Sequence, residues 1–159
     1  MSHAAYKESL GIFGIDSLSF LSDRMFQVMD IDKDGKICLE EYLSYFDIML
    51  HGEEEEKMRQ SFDLLDAKQL GKIKENDFKK IVQSFAQMWS AALGYPIPLN
   101  RTYIQRIFQQ FANNKDFFDF EDFKAQMKIN PDMLLWFSKP EEAMNKRLNN
   151  RIDESKIAK

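Results

Sequence analysis

The chain has 159 residues, enough for one globular domain or two small lobes, and 44% of them are apolar against 30% charged. Lys and Arg number 22 and Asp and Glu 26, a net charge of -4 with no basic block, which excludes a nucleic-acid surface. The single cysteine, Cys38, excludes an internal disulfide framework and suits a reducing, cytoplasmic setting. Fourteen Phe and nine Met beside only six Gly and four Pro favour helices over strands. No apolar run is long enough for a membrane span. The opening "MSHAAYKESLG" has no apolar signal region, and Ser2 leaves no N-myristoylation signal in this chain.

In chain order, Phe20, Leu21, Met25, Val28 and Met29 recur at helical spacing and predict a helix from about Phe20 to Met29. The stretch "DIDKDGKICLEE" follows, and then "LEEYLSYFDIML" places Leu39, Tyr42, Leu43, Phe46 and Leu50 on one side of a second helix. "GEEEEK", Gly52 to Lys57, reads as a solvated helix start with acids at the positive end. The pattern then repeats without a gap at an offset of 36 residues: Phe62 falls on Phe26, Asp66 on Asp30, Gly71 on Gly35, Ile73 on Ile37 and Phe78 on Tyr42. A third, weaker copy aligns Phe118 with Ile73 and Asp122 with the last loop position, at the cost of about a one-residue deletion near Ala112. Between the second and third copies, Pro96 and Pro98 interrupt any helix and mark a linker. Asn130 with Pro131, and Ser138 or Lys139 with Pro140, start two short C-terminal helices.

The first loop carries the chemistry. Three aspartates at alternate positions repel one another, and a bound cation offsets that repulsion. Calcium takes six to eight oxygens, and a twelve-residue loop supplies them at positions 1, 3, 5, 7, 9 and 12, with Gly at 6 for the turn. Those positions are Asp30, Asp32, Asp34, the Lys36 backbone carbonyl, Cys38 acting through a water, and Glu41, with Gly35 at the turn. One calcium ion is expected here, with magnesium a weak competitor. Ile37, at position 8, is expected to form a short strand against a sister loop. The second loop keeps Asp66 and Gly71 but has Lys68 and Leu70 at ligand positions and the shorter Asp77 at the end. The third has Phe117, Phe118 and Phe120 around one Asp, Asp116 where the Gly belongs, Lys115 where an acid belongs, and Asp122 at its end. Neither is expected to bind metal.

The DxDxDG…E loop and its in-register second copy make residues about 20 to 127 resemble an EF-hand protein. Two close hands, a long linker to a third and extra C-terminal helices resemble the recoverin and calcineurin-B branch. The helix entering the loop and the "GxxEEKM" connector are also similar to calaxin-like ciliary dynein sensors. The resemblance implies an all-α fold of helix–loop–helix repeats plus C-terminal helices. Its expected parts are an N-terminal region over 1–90 (a partial hand at 1–14, an intact hand at 20–50, a degenerate one at 56–88), a linker at 91–100, a degenerate third hand at 101–128 and a helical tail at 129–159. Such families carry four hands that pair. One more 36-residue unit before Asp30 would place a loop largely ahead of Met1, so "AAYKESLGIF" reads as the exit helix of a first hand. Three explanations stand: a piece of a longer protein, a degenerate first hand, or a homodimer that pairs the loop.

The resemblance further implies a non-enzymatic calcium sensor whose protein target is an amphipathic helix, in the cytoplasm and in association with cytoskeleton or cilium. The candidate groove is Met25, Phe26, Met29, Phe46, Met49, Phe62, Phe85, Met88 and Trp89, since Met-rich faces adapt to partners. Core packing is the competing reading for each of these residues. Trp136 is expected to pack back onto the third hand. His3 and His51 are isolated and do not suggest zinc, and Cys38 has no His partner for catalysis. A calcium-independent adaptor, or the regulatory domain of a larger protein with calcium as a structural ion, is the second reading.

Overall fold

A computed structural model describes residues 1–9, 19–94, 96, 97 and 99–130. The expected C-terminal helices and Trp136 lie outside the described residues. The architecture is helical: α1 (His3–Ser9), α2 (Ser19–Met29), α3 (Leu39–His51), α4 (Glu54–Leu65), α5 (Glu75–Leu93), α6 (Arg101–Ala112) and α7 (Phe120–Ile129), with β1 (Ile73–Lys74) and β2 (Phe117–Phe118) forming one small sheet.

The helix ends follow from local chemistry. Ninth loop positions become N-caps and twelfth positions become the third helical residue, so Cys38 with Glu41 opens α3, Lys74 with Asp77 opens α5 and Asp119 with Asp122 opens α7. The acidic run "EEE" occupies the first turn of α4, where the helix dipole favours negative charge. The helix of the second hand outlasts its repeat. α5 continues through Leu93 and stops at Gly94, which adopts φ +74° at the left-handed C-cap. Residues 91–93 of the expected linker are therefore helical, and the connection to α6 is short, with Asn100 accepting from the Tyr103 N–H at 2.7 Å.

The second and third hands pair with each other. β1 and β2 run antiparallel with Ile73 opposite Phe118 and Lys74 opposite Phe117, the register that the alignment of Phe118 on Ile73 implies. Their shared core contains Phe62, Phe78, Phe108, Phe111, Phe118 and Phe123, all essentially without solvent contact. Phe118 sits 5.1 Å from Phe111 and 5.7 Å from Phe78 between ring centroids, so the rings stack and meet edge-on. Burying each such side chain contributes about 1.5–3 kcal/mol, which explains why Phe dominates here.

The intact hand has a second, smaller core: Tyr6, Phe26, Met29, Ile37 and Tyr45. Its partner is the N-terminal segment. The Ile37 N–H donates to the Met1 carbonyl at 2.8 Å, the Met1 nitrogen donates to the Ile37 carbonyl, and Ser2 bridges Lys36 antiparallel. α1 then lays Tyr6 edge-on against Phe26 at 5.5 Å, while Lys7 and His3 meet Asp23 at 2.6 and 2.9 Å.

These two cores take in most of the residues expected in the groove. Phe26, Met29, Phe62 and Phe85 are buried. Met25, Met88 and Phe46 are half-buried and packed against the cores, and Trp89 is also half-buried. Only Met49 stands clear in solvent. The pairing of hands covers these apolar faces, while Leu39, Leu43 and Leu50 stay exposed on α3, as do Ile31, Leu70 and Ile129 elsewhere.

Candidate metal centre

The centre is built where α2 ends and α3 begins. Asp30 follows the last turn of α2, its N–H donating to the Phe26 carbonyl at 2.9 Å, which points its carboxylate into the loop. Its Oδ2 accepts from the Gly35 N–H at 3.0 Å. Closing this turn needs φ +81° at Gly35, a conformation that favours glycine. Asp30 is buried at 8% exposure, and among the described residues its Oδ1 has no hydrogen-bond partner.

Asp30, Asp32 and Glu41 each bring a carboxylate oxygen to within 4.8 Å of the others. Glu41 folds back over the loop from the first turn of α3. Its Oε1 accepts from the Ile31 and Asp32 N–H groups at 2.8 and 3.3 Å and its Oε2 from the Cys38 N–H at 2.8 Å. The Cys38 N–H is the largest reason that this carboxyl sits below the usual carboxylate range; burial opposes it, and the Ile31 and Asp32 N–H groups add to it. Asp34 stands outside the group: its Oδ1 accepts from the Lys36 N–H at 2.7 Å, while Asp32 Oδ1 takes the Asp34 N–H at 3.0 Å. The Cys38 sulfur accepts from the Glu41 N–H at 3.4 Å and so serves as helix cap.

This arrangement fits a hard divalent cation. Charges of like sign about 4 Å apart repel by roughly 1 kcal/mol per pair in bulk water and up to about 4 kcal/mol at the effective dielectric of a protein surface. A buried carboxylate oxygen with no donor carries a further penalty. A calcium ion would remove both if it took the free oxygen of Asp30 together with those of Asp32 and Glu41, and the all-oxygen set suits calcium better than a softer metal.

The other two loops keep the frame without the donor set. In the second, Asp66 Oδ2 accepts from the Gly71 N–H at 2.7 Å, repeating the tie of Asp30 to Gly35, but Lys68 reaches Asp77 at 2.9 Å and Leu70 points to solvent. In the third, Lys115 holds both oxygens of Asp122 at 2.7 and 2.8 Å, and Asp116 is exposed.

Two features escape a reading of loop spacing. The N-terminal strand could have been found from the 36-residue offset, which sets Met1 under Ile37 and Tyr6 under Tyr42. Arg24 gave no signal, since an arginine on a helix face looks like any solvated charge, yet it is buried.

Residues 55–128 match the family model for an EF-hand domain pair, which spans the second and third hands. A recoverin family protein of Dictyostelium discoideum is 34% identical over 82 residues, covering 52% of this chain and 35% of that protein. A dual oxidase of Drosophila melanogaster is 26% identical over 130 residues, covering 80% of this chain and 8% of that protein. The chain thus spans about a third or less of the curated relatives it matches. Fold, loop and matches together support assigning the chain to the EF-hand calcium-binding proteins. Within that class the assignment is recoverin-like.

Proposed function

We propose that the chain is a calcium-sensing, protein-binding module that responds through one ion held at Asp30, Asp32 and Glu41, with Asp34, the Lys36 carbonyl and a water at Cys38 completing the shell. The observation that carries this reading is the buried, unpartnered Oδ1 of Asp30 facing two further carboxylates. Calcium supplies charge neutralisation there. It changes what Glu41 bonds to, and Glu41 belongs to the first turn of α3, so ion binding and the placement of α3 against α2 are linked. The affinity difference between the two arrangements sets the size of the response. α3 carries Leu39, Leu43 and Leu50 in solvent, so its movement alters an apolar surface that a protein partner in the cytoplasm can read. Isothermal titration of the purified chain with calcium is expected to show one site, abolished by Asp30→Ala. Absence of calcium heat up to millimolar concentration sinks the reading, and magnesium is expected to compete only weakly.

A second reading is favoured by one specific observation: 130 residues of this chain align with only 8% of a dual oxidase. A segment like this one can stand as a regulatory or adaptor part of a larger protein, with calcium as a structural ion. It predicts partner capture that is unchanged by chelator, whereas the sensor reading predicts a calcium-dependent difference.

A further inference from the structure

The two silent loops share a feature that the intact loop lacks. In the second, Lys68 at position 3 places its ammonium 2.9 Å from Asp77 Oδ2 at position 12. In the third, Lys115 at position 5 places its ammonium 2.7 and 2.8 Å from the two oxygens of Asp122, again at position 12. Both carboxylates are largely withdrawn from water, at 14% and 19% side-chain exposure, while the two lysines remain about half exposed. A mainly buried carboxylate at the start of a helix needs a partner. The two loops meet that need from different positions, so the common element is the positive charge rather than an aligned residue. In the intact loop, Glu41 accepts from the Ile31, Asp32 and Cys38 N–H groups rather than from an ammonium among the described residues, and Lys33 turns away to donate to Gln69 Oε1 at 3.0 Å.

We propose that the Lys68 and Lys115 ammoniums are the resident cations of the second and third loops, each doing for its position-12 carboxylate what a bound metal ion does in a calcium-loading hand. The paired hands thereby hold their arrangement with or without calcium, and the ion acts on the first hand alone. Loss of acidic ligands in these loops is then a substitution of a covalently attached cation for a diffusible one. The connection between the calcium-responsive and constant parts runs through α2, which packs Leu21 into the phenylalanine core and Phe26 and Met29 into the smaller one.

The test compares amide hydrogen exchange at Ile73 and Phe118, the paired strand residues, in the full chain with EGTA present, so that the first loop is equally empty in every variant. Lys68→Gln with Lys115→Gln keeps a hydrogen-bond donor and removes both charges. Lys68→Arg with Lys115→Arg keeps the charges. Exposed ion pairs are modest, so the Gln pair is expected to speed exchange about three- to tenfold and the Arg pair by less than about twofold. Unchanged exchange in the Gln pair, or equal acceleration by the Arg pair, overturns the proposal, because the charge would then be immaterial. Should the Gln pair prove too unstable for site-resolved exchange, the fall in its melting midpoint relative to the Arg pair gives the same comparison. None of these measurements depends on whether the first loop binds calcium.

Discussion

Arg24 shows how one side chain can tie two hands. At 3% exposure, its Nε donates to the Leu64 carbonyl at 3.2 Å and its Nη2 to the carbonyls of Asp66, at 2.8 Å, and Asp63, while Nη1 meets Gln27 Oε1 at 2.9 Å. Asp63 and Leu64 belong to the last turn of α4, whose carbonyls lack helix partners and where the helix dipole favours a cation, while the Asp66 carbonyl also accepts from the Gln69 N–H at 3.0 Å. Burial lowers its affinity for the proton, with Asp66 and Asp63 acting in the opposite direction. Arg24→Ala is expected to cost about 3 kcal/mol in urea unfolding, since it strands buried carbonyls as well as removing packing. A loss below about 1 kcal/mol would mean that water replaces the guanidinium freely. At Asp122 the argument concerns pH. Burial alone would push its carboxyl up, but the Lys115 ammonium and the Asp119 N–H outweigh burial and hold it below its ordinary 3.8. The pair raises Lys115 above its ordinary 10.5, through the hydrogen bond to Asp122. A depressed carboxyl stabilises the fold above its unfolded value and ceases to do so as pH falls through the folded one. A raised ammonium stabilises below its unfolded value and is lost as pH rises through the folded one. The gap in melting midpoint between the wild-type chain and Asp122→Asn is therefore expected to hold from about pH 4 to about pH 10, and to close on the acid side below about pH 4.

At the scale of elements, α1 does for the first hand what β2 and α7 do for the second. Tyr6 is the anchor, at 3% exposure, and burial, followed by the neighbouring Tyr45 and Tyr42, pushes its phenol proton affinity far up. Its hydroxyl is buried without a hydrogen-bond partner among the described residues. Removing the hydroxyl alone is therefore favourable or neutral, and Tyr6→Phe is expected to leave urea stability unchanged or raise it by up to about 1 kcal/mol. Tyr6→Ala removes the ring from the same core and is expected to cost about 3 kcal/mol. The opposite signs separate packing from polarity, and a Tyr6→Phe loss above about 1 kcal/mol would reveal a bonded hydroxyl. Ala5 stands 36 residues before Glu41, so this N-terminal half-hand brings a strand and a helix but no carboxylate at the closing position.

At the scale of the whole molecule, two cores of unequal size share α2. Among the described residues the phenylalanine core holds fifteen buried residues and the smaller one five. A ligand that binds only the folded state stabilises what it touches, by about 2.7 kcal/mol at a hundred times its dissociation constant. Chelating calcium is expected to raise hydrogen exchange throughout α3 and at Ile37 by tenfold or more, while amides at Phe111, Phe118 and Phe123 change little. Equal acceleration in both cores would show that the chain unfolds as one unit and that the ion supports all of it.

The sequence by itself determined the repeat, the loop and its ligand types. Alternate aspartates followed by glycine and a closing glutamate have few uses, and a helical period of apolar residues on both sides leaves little choice of local fold. The same reading marked Lys68, Leu70 and Lys115 as wrong for metal, because charge and donor chemistry belong to the residue itself. The strand register of Ile73 on Phe118 was legible because it follows from repeat alignment. Tertiary structure alone decided which faces were spent. Phe26, Met29, Phe62 and Phe85 have the spacing of a partner groove and of a core alike, and only the pairing of hands tells the two apart. It also decided that the first loop takes its strand from Met1 and Ser2, that Arg24 is buried, and that Asp34 turns to the backbone while Asp30 waits with an oxygen free. Periodicity fixes which side of a helix is apolar; what covers that side depends on contacts between residues far apart in the chain.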